Sequence, residues 1–136
     1  MLRQRSRPYL FSNSIPPVVV NAGIRMFDMV STTNNLQDKL HWNTDYFMEK
    51  MSEVGFDLKP TKSAICAVML YDAKLAQDFA AKLLDEGIYV IGFSFPVVPK
   101  GQARIRVQLS AAHEKEHLDK CIAAFTKVGK EMGVLK

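Results

Sequence analysis

Between Leu36 and Val54 the chain sets Leu36, Leu40, Phe47, Met51 and Val54 along one stripe, the spacing at which residues three and four apart share a helix face. Gly55 then closes that helix. A similar pattern, weakened by Gly23, predicts a helix over Val18–Val30 with Val20, Ile24 and Phe27 on one side. "AICAVML", Ala64 to Leu70, is apolar throughout, which fits a strand buried on both sides. Asp72 can cap the next helix, whose core face is Leu75, Ala76, Phe79, Ala80, Leu83 and Leu84, with Gly87 as its end. "IYVIGFSF" and "ARIRVQLS" read as two further strands, joined by the loop "PVVPKGQ" with Pro96, Pro99 and Gly101. A last helix, from about His113 to Met132, turns Leu118, Cys121, Ile122, Phe125, Val128 and Met132 inward.

The order helix-helix-strand-helix-strand-strand-helix predicts an α+β domain, an α/β sandwich. Its small three-stranded, mainly antiparallel sheet would carry helices on one face, buried through Ile105, Val107 and Leu109. "DLKPTKS" reads as a turn-rich link. Residues 1–14 show no periodicity and are expected to form an extended arm, since Pro8 disfavours helix at Arg7; residues 15–136 form the domain.

Composition narrows the picture modestly. The chain has 136 residues, 48% hydrophobic and 24% charged, which suits one globular domain. Eighteen basic against fourteen acidic residues leave a net charge of +4, too small and too dispersed to argue for nucleic acid. Cys66 and Cys121 stand far apart inside apolar runs, without the spacing of a zinc site or disulfide framework. No run reaches membrane-spanning length and no secretory signal is visible, so a cytoplasmic protein without membrane partners is expected, an organelle staying open.

Candidate chemistry is concentrated at Arg104-Ile105-Arg106-Val107-Gln108-Leu109. Strand alternation puts Ile105, Val107 and Leu109 on one face and Arg104, Arg106 and Gln108 on the other. A guanidinium fixed on a strand suits bidentate binding of a carboxylate or phosphate, although arginines are also ordinary on a solvated face. His113 and His117 lie one helical turn apart but lack a third ligand, so capping is the better reading and no metal is expected. His41 has no evident partner. Lys62 lacks the surroundings of an imine-forming lysine. No nucleophile-elbow, phosphate-loop or dinucleotide motif occurs.

Two blocks, "LRQRSRPYLFSNSIPP" and "GIYVIGFSFPVVPKGQARIRVQLSAAH", resemble the alpha-oxoamine synthases, fold type I enzymes of the aspartate-aminotransferase-like fold, and among them the glycine C-acetyltransferase branch. The resemblance covers essentially the whole chain but only the C-terminal domain of such enzymes. It implies a homodimer that uses pyridoxal 5'-phosphate and interconverts 2-amino-3-oxobutyrate plus CoA with glycine plus acetyl-CoA, in threonine breakdown. It implies that Arg106 grips the amino-acid carboxylate, and that Ser12 and Asn13 reach the partner subunit's cofactor. It leaves Arg104 a structural pairing role. The cofactor lysine of the family would lie upstream, so this chain alone is expected to be inactive. The alternative is a small α+β module binding RNA or an anionic regulator. Against it, no aromatic is expected beside the two arginines to stack a base.

Overall fold

The structure, a computed structural model, describes residues 1–11 and 14–135. It divides into two units, residues 1–35 and 36–135. The first holds α1 (Leu2–Arg5), α2 (Arg7–Leu10) and α3 (Pro17–Thr32). Two single helical turns thus stand where an extended arm is expected. Pro8 is tolerated because it lies in the first turn of α2, where its missing N–H has no intrahelical partner to lose. α3 opens on Pro16, whose carbonyl accepts from the Val19 and Val20 amides, and it carries no buried residue.

The second unit comprises α4 (Asn35–Val54) from Leu36 onward, β1 (Leu58–Lys59), β2 (Ile65–Tyr71), α5 (Ala73–Asp85), β3 (Ile91–Phe93), β4 (Ala103–Gln108) and α6 (Lys115–Glu131). The sheet is antiparallel throughout, in the order β1-β2-β4-β3. It has four strands among the described residues, not three, because Leu58 and Lys59 pair with Val68 and Ala67. Two residues ahead of a proline are too short a run to show alternation. β4 lies between β2 and β3, and α5 connects those two parallel strands as in a split βαβ unit.

Register decides what each sheet face carries. Cys66, Val68 and Leu70 of β2 join Ala103, Ile105 and Val107 of β4 on the inner face, all buried. The other face of β2 differs from expectation: Ile65 is exposed, and Ala67 and Met69 are only half-buried. An uninterrupted apolar strand therefore has one buried face, not two. Phe47 and Met51 of α4, Phe79 and Leu83 of α5, and Leu118, Phe125 and Val128 of α6 complete the core. Leu36, at the start of the predicted stripe, is exposed.

Phe125 is fully buried at the centre of this core. Its ring meets Phe56 and Phe47 edge-on, with centroids 5.9 and 6.3 Å away, and Phe79 at a tilt, 5.7 Å away. These edge-to-face contacts add to the hydrophobic gain of burial. The buried Asn43 amide nitrogen of α4 donates to the carbonyls of Ser110 and His113, at 2.9 and 3.0 Å, and so clasps the turn after β4. Tyr46 donates to Asp119 at 2.6 Å, stacks on Trp42 and lies under the Lys115 ammonium, joining α4 to α6.

Asp72 caps α5 by accepting from the Leu75 amide at 2.7 Å, and Gly87 follows the helix with φ +78°, which glycine adopts without steric penalty. Gly92 has a different reason. A Cβ there would stand 2.7 Å from the Ala76 carbonyl oxygen and 3.0 Å from its carbon. Only a bare α-carbon lets α5 press this closely on β3. Gly92→Ala sets backbone against backbone and is expected to cost about 1–3 kcal/mol, as overpacking does. Gly23→Ala, with nothing within 4 Å, serves as the helical control and should be neutral or slightly stabilising. Urea unfolding of both variants checks this; equal midpoints would refute the close-approach argument.

Candidate functional site

The outer sheet face contains the predicted arginines. Arg106 of β4 lies between Ala67 of β2 and Ile91 of β3, and Arg104 lies between Met69 and Phe93. Alternation on β4 alone puts both side chains on the side opposite Ile105. Arg106 is exposed and Arg104 half-buried. Neither forms an ion pair with any carboxylate among the described residues: the acids paired there are Glu53, Glu86, Glu114, Asp119 and Glu131, all held by lysines. The structural pairing expected for Arg104 is therefore absent among these residues. Two cations on neighbouring same-face positions, floored by Ala67, Met69, Ile91 and Phe93, make a surface complementary to an anion with an apolar neighbourhood.

Sequence reasoning missed one residue of this face. The Phe93 ring centroid lies 5.0 Å from the Arg106 guanidinium carbon, although no aromatic was expected beside the arginines. Phe93 directly faces Arg104 and is diagonal to Arg106 across the β3–β4 pair, within reach of long side chains. Its position in "IYVIGFSF" indicated strand, but only the pairing register could set it beside Arg106.

The loop from Ser94 to Gln102 borders the same end of the sheet. The Val97 and Val98 amides both bond the Ser94 carbonyl, Val98 is buried, and Gln102 returns a bond to Pro99. The Phe95–Pro96 peptide is cis. Lys100 places its ammonium 5.2 Å from the Phe95 ring, a further positive charge on the loop.

The remaining candidates resolve as structural. His113 accepts from the Ser110 amide through Nδ1 at 3.2 Å, and His117 from the Glu114 amide through Nδ1 at 3.0 Å, so both histidines serve the turn and helix start. No cluster of three or more metal-ligating side chains occurs among the described residues. Burial pushes the Cys66 thiol up to about 11 and that of Cys121 to about 12, so both stay protonated and unreactive near neutrality. Glu114 and Asp119 are held below the ordinary carboxylate range, chiefly by hydrogen bonds from Lys39 and Lys115 respectively. Their links to α4 and within α6 therefore persist through that range and loosen only as pH falls below it, through the lowered values. An open cavity of about 460 Å³ has Val107, Leu109, Leu118, His113 and Cys121 in its wall; neither arginine lines it. Ser12 and Asn13 lie outside the described residues, and Lys62 is exposed on the β1–β2 link. No helix among the described residues is long and apolar enough to cross a membrane.

Comparison with known proteins places this geometry. The family model for aminotransferases of class I and II matches residues 1–125. The 2-amino-3-ketobutyrate coenzyme A ligase of Escherichia coli K12 is 54% identical over 134 residues, which are 98% of this chain and 34% of that protein. The mitochondrial ligase of the same name from Homo sapiens is 49% identical, over 99% of this chain and 32% of that protein. Among solved structures, serine palmitoyltransferase from S. paucimobilis with bound PLP-myriocin superposes with a TM-score of 0.83 at 31% identity, covering 95% of this chain and 33% of that one. The chain thus spans about a third of the length of these relatives.

Proposed function

The chain belongs to the class I and II aminotransferase family, and from that premise we propose that it is the C-terminal, substrate-binding domain of a homodimeric alpha-oxoamine synthase. The whole enzyme would interconvert 2-amino-3-oxobutyrate plus CoA with glycine plus acetyl-CoA, the activity to which the names of its 54% and 49% identical relatives point. The observation that carries the reading within this chain is Arg106. It is an exposed guanidinium without an acidic partner among the described residues, set on a strand above an apolar floor. Its paired N–H groups match the two oxygens of an amino-acid carboxylate.

The cofactor is pyridoxal 5'-phosphate, which when bound would draw electron density from the carbon to be acylated. The described residues do not form a complete site for it. No described lysine is buried, and Lys50 and Lys127, made more basic by Glu53 and Glu86, are poorly suited to imine formation at neutral pH. The role left to this chain is to bind and orient: Arg106 holds the substrate carboxylate and thereby fixes how the rest of the molecule is presented. Ser12 and Asn13 would extend toward the partner subunit's cofactor. Such positioning can contribute on the order of 7 kcal/mol to a reaction. The compartment is the cytoplasm or, as in the mitochondrial relative, an organelle.

Borohydride reduction of the full-length protein, followed by peptide mapping, tests the reading. Cofactor mass is expected on a lysine outside residues 1–136, and the isolated chain should be inactive. Cofactor fixed to Lys62 or another lysine of this chain would overturn it.

A further inference from the structure

Arg106 has to hold its guanidinium still without an ion pair to hold it. Its side chain has four rotatable bonds and stands on an exposed strand position, and among the described residues no carboxylate is within ion-pair reach. The contact the structure does supply is the Phe93 ring, 5.0 Å from the guanidinium carbon. A guanidinium has two π faces and a rim of five N–H donors. Contact of one face with an aromatic ring uses the attraction of the cation to the ring quadrupole and leaves the rim free for hydrogen bonds. An ion pair to a protein carboxylate would instead occupy those donors.

Phe93 is itself firmly placed. Its backbone pairs with Arg104 in β3–β4 register, and its neighbour Gly92 is pressed against the Ala76 backbone of α5. The residue is half-buried. A continuous series of contacts thus runs from α5 through β3 to the guanidinium.

We propose that Phe93 is a positioning residue whose ring holds one face of the Arg106 guanidinium and presents its N–H rim to the carboxylate of the amino-acid substrate. This rests on the reading of Arg106 as the carboxylate anchor, and it assigns the anchor's orientation to an aromatic ring on the adjacent strand.

The test uses the full-length enzyme with Phe93→Leu, Phe93→Tyr, Arg106→Ala and the Phe93→Leu/Arg106→Ala pair. Leucine keeps an apolar side chain but has no π face. Phe93→Leu is expected to raise the KM and equilibrium dissociation constant for glycine about three- to tenfold, the scale of one cation–π contact. Turnover at saturation should fall by a smaller factor than the KM for glycine rises, and the KM for the acyl-CoA should stay unchanged. Phe93→Tyr should restore glycine affinity. With Arg106→Ala already present, Phe93→Leu should add nothing. In the Arg106 Nε–H NMR resonance, the ring-current shift should be lost with leucine and kept with tyrosine. If Arg106→Ala weakens glycine binding while Phe93→Leu does not, the anchor stands and the positioning role falls. An equal effect of Phe93→Leu with and without Arg106 would also overturn the positioning role. Glycine affinity unchanged by Arg106→Ala would defeat the anchor reading and this inference together.

Discussion

Arg106→Ala in the full-length enzyme is expected to lower kcat/KM for glycine roughly a hundredfold, about 2.7 kcal/mol at 1.36 kcal/mol per tenfold. Losing one partner of a charge-assisted, bidentate pair has an effect of this size when the carboxylate is left without its cation. Both KM and turnover should change, because the anchor binds the substrate and sets its orientation. The absorbance of the bound cofactor should not change, since Arg106 is assigned to the substrate alone. Arg106→Lys is expected to fall between, keeping the charge while losing the planar fork. Steady-state kinetics with glycine varied at saturating acyl-CoA makes the measurement. Wild-type values of both constants in Arg106→Ala would remove the carboxylate role.

The largest effect on stability is expected at Phe125. This ring is fully buried and contacts Phe47, Phe56 and Phe79, which come from α4, the α4–β1 link and α5. Phe125→Ala removes the surface on which three elements meet, and should destabilise by about 3–5 kcal/mol through lost transfer energy and a residual cavity. That is a large share of a typical 5–15 kcal/mol total. Urea unfolding should show a lower midpoint with the slope retained. Phe125→Leu, which keeps more of the volume, should lose markedly less. A loss below about 1 kcal/mol for alanine would mean that the neighbouring rings collapse into the space.

How much of this was legible beforehand depended on the range of the interaction involved. The α+β class, the inner face Ile105, Val107 and Leu109, and the outward side of Arg104 and Arg106 all follow from alternation within one strand. The capping of α5 by Asp72 and its end at Gly87 were equally local. β1 was missed because two residues carry no period, and its existence depends on pairing with Val68 and Ala67. β2 reads as buried on both faces because composition does not reveal which side the helices take. Gly92 carries no distinct signal within "IYVIGFSF", while in the structure it is the point where α5 rests on β3. Asn43 gave no signal at all, since the carbonyls it clasps are 67 and 70 residues away.

Two levels of determination therefore separate cleanly in this protein. Local sequence determined the helices α3, α4, α5 and α6, the apolar inner face of β4, and that a cationic face opposes the core. Side-chain direction follows from backbone period alone, so no distant partner is needed. Tertiary structure decided that β4 lies between β2 and β3, that Phe93 meets Arg106, and that neither arginine pairs with an acid among the described residues. Those facts depend on strand register and helix docking, which bring together residues whose relation no local period records.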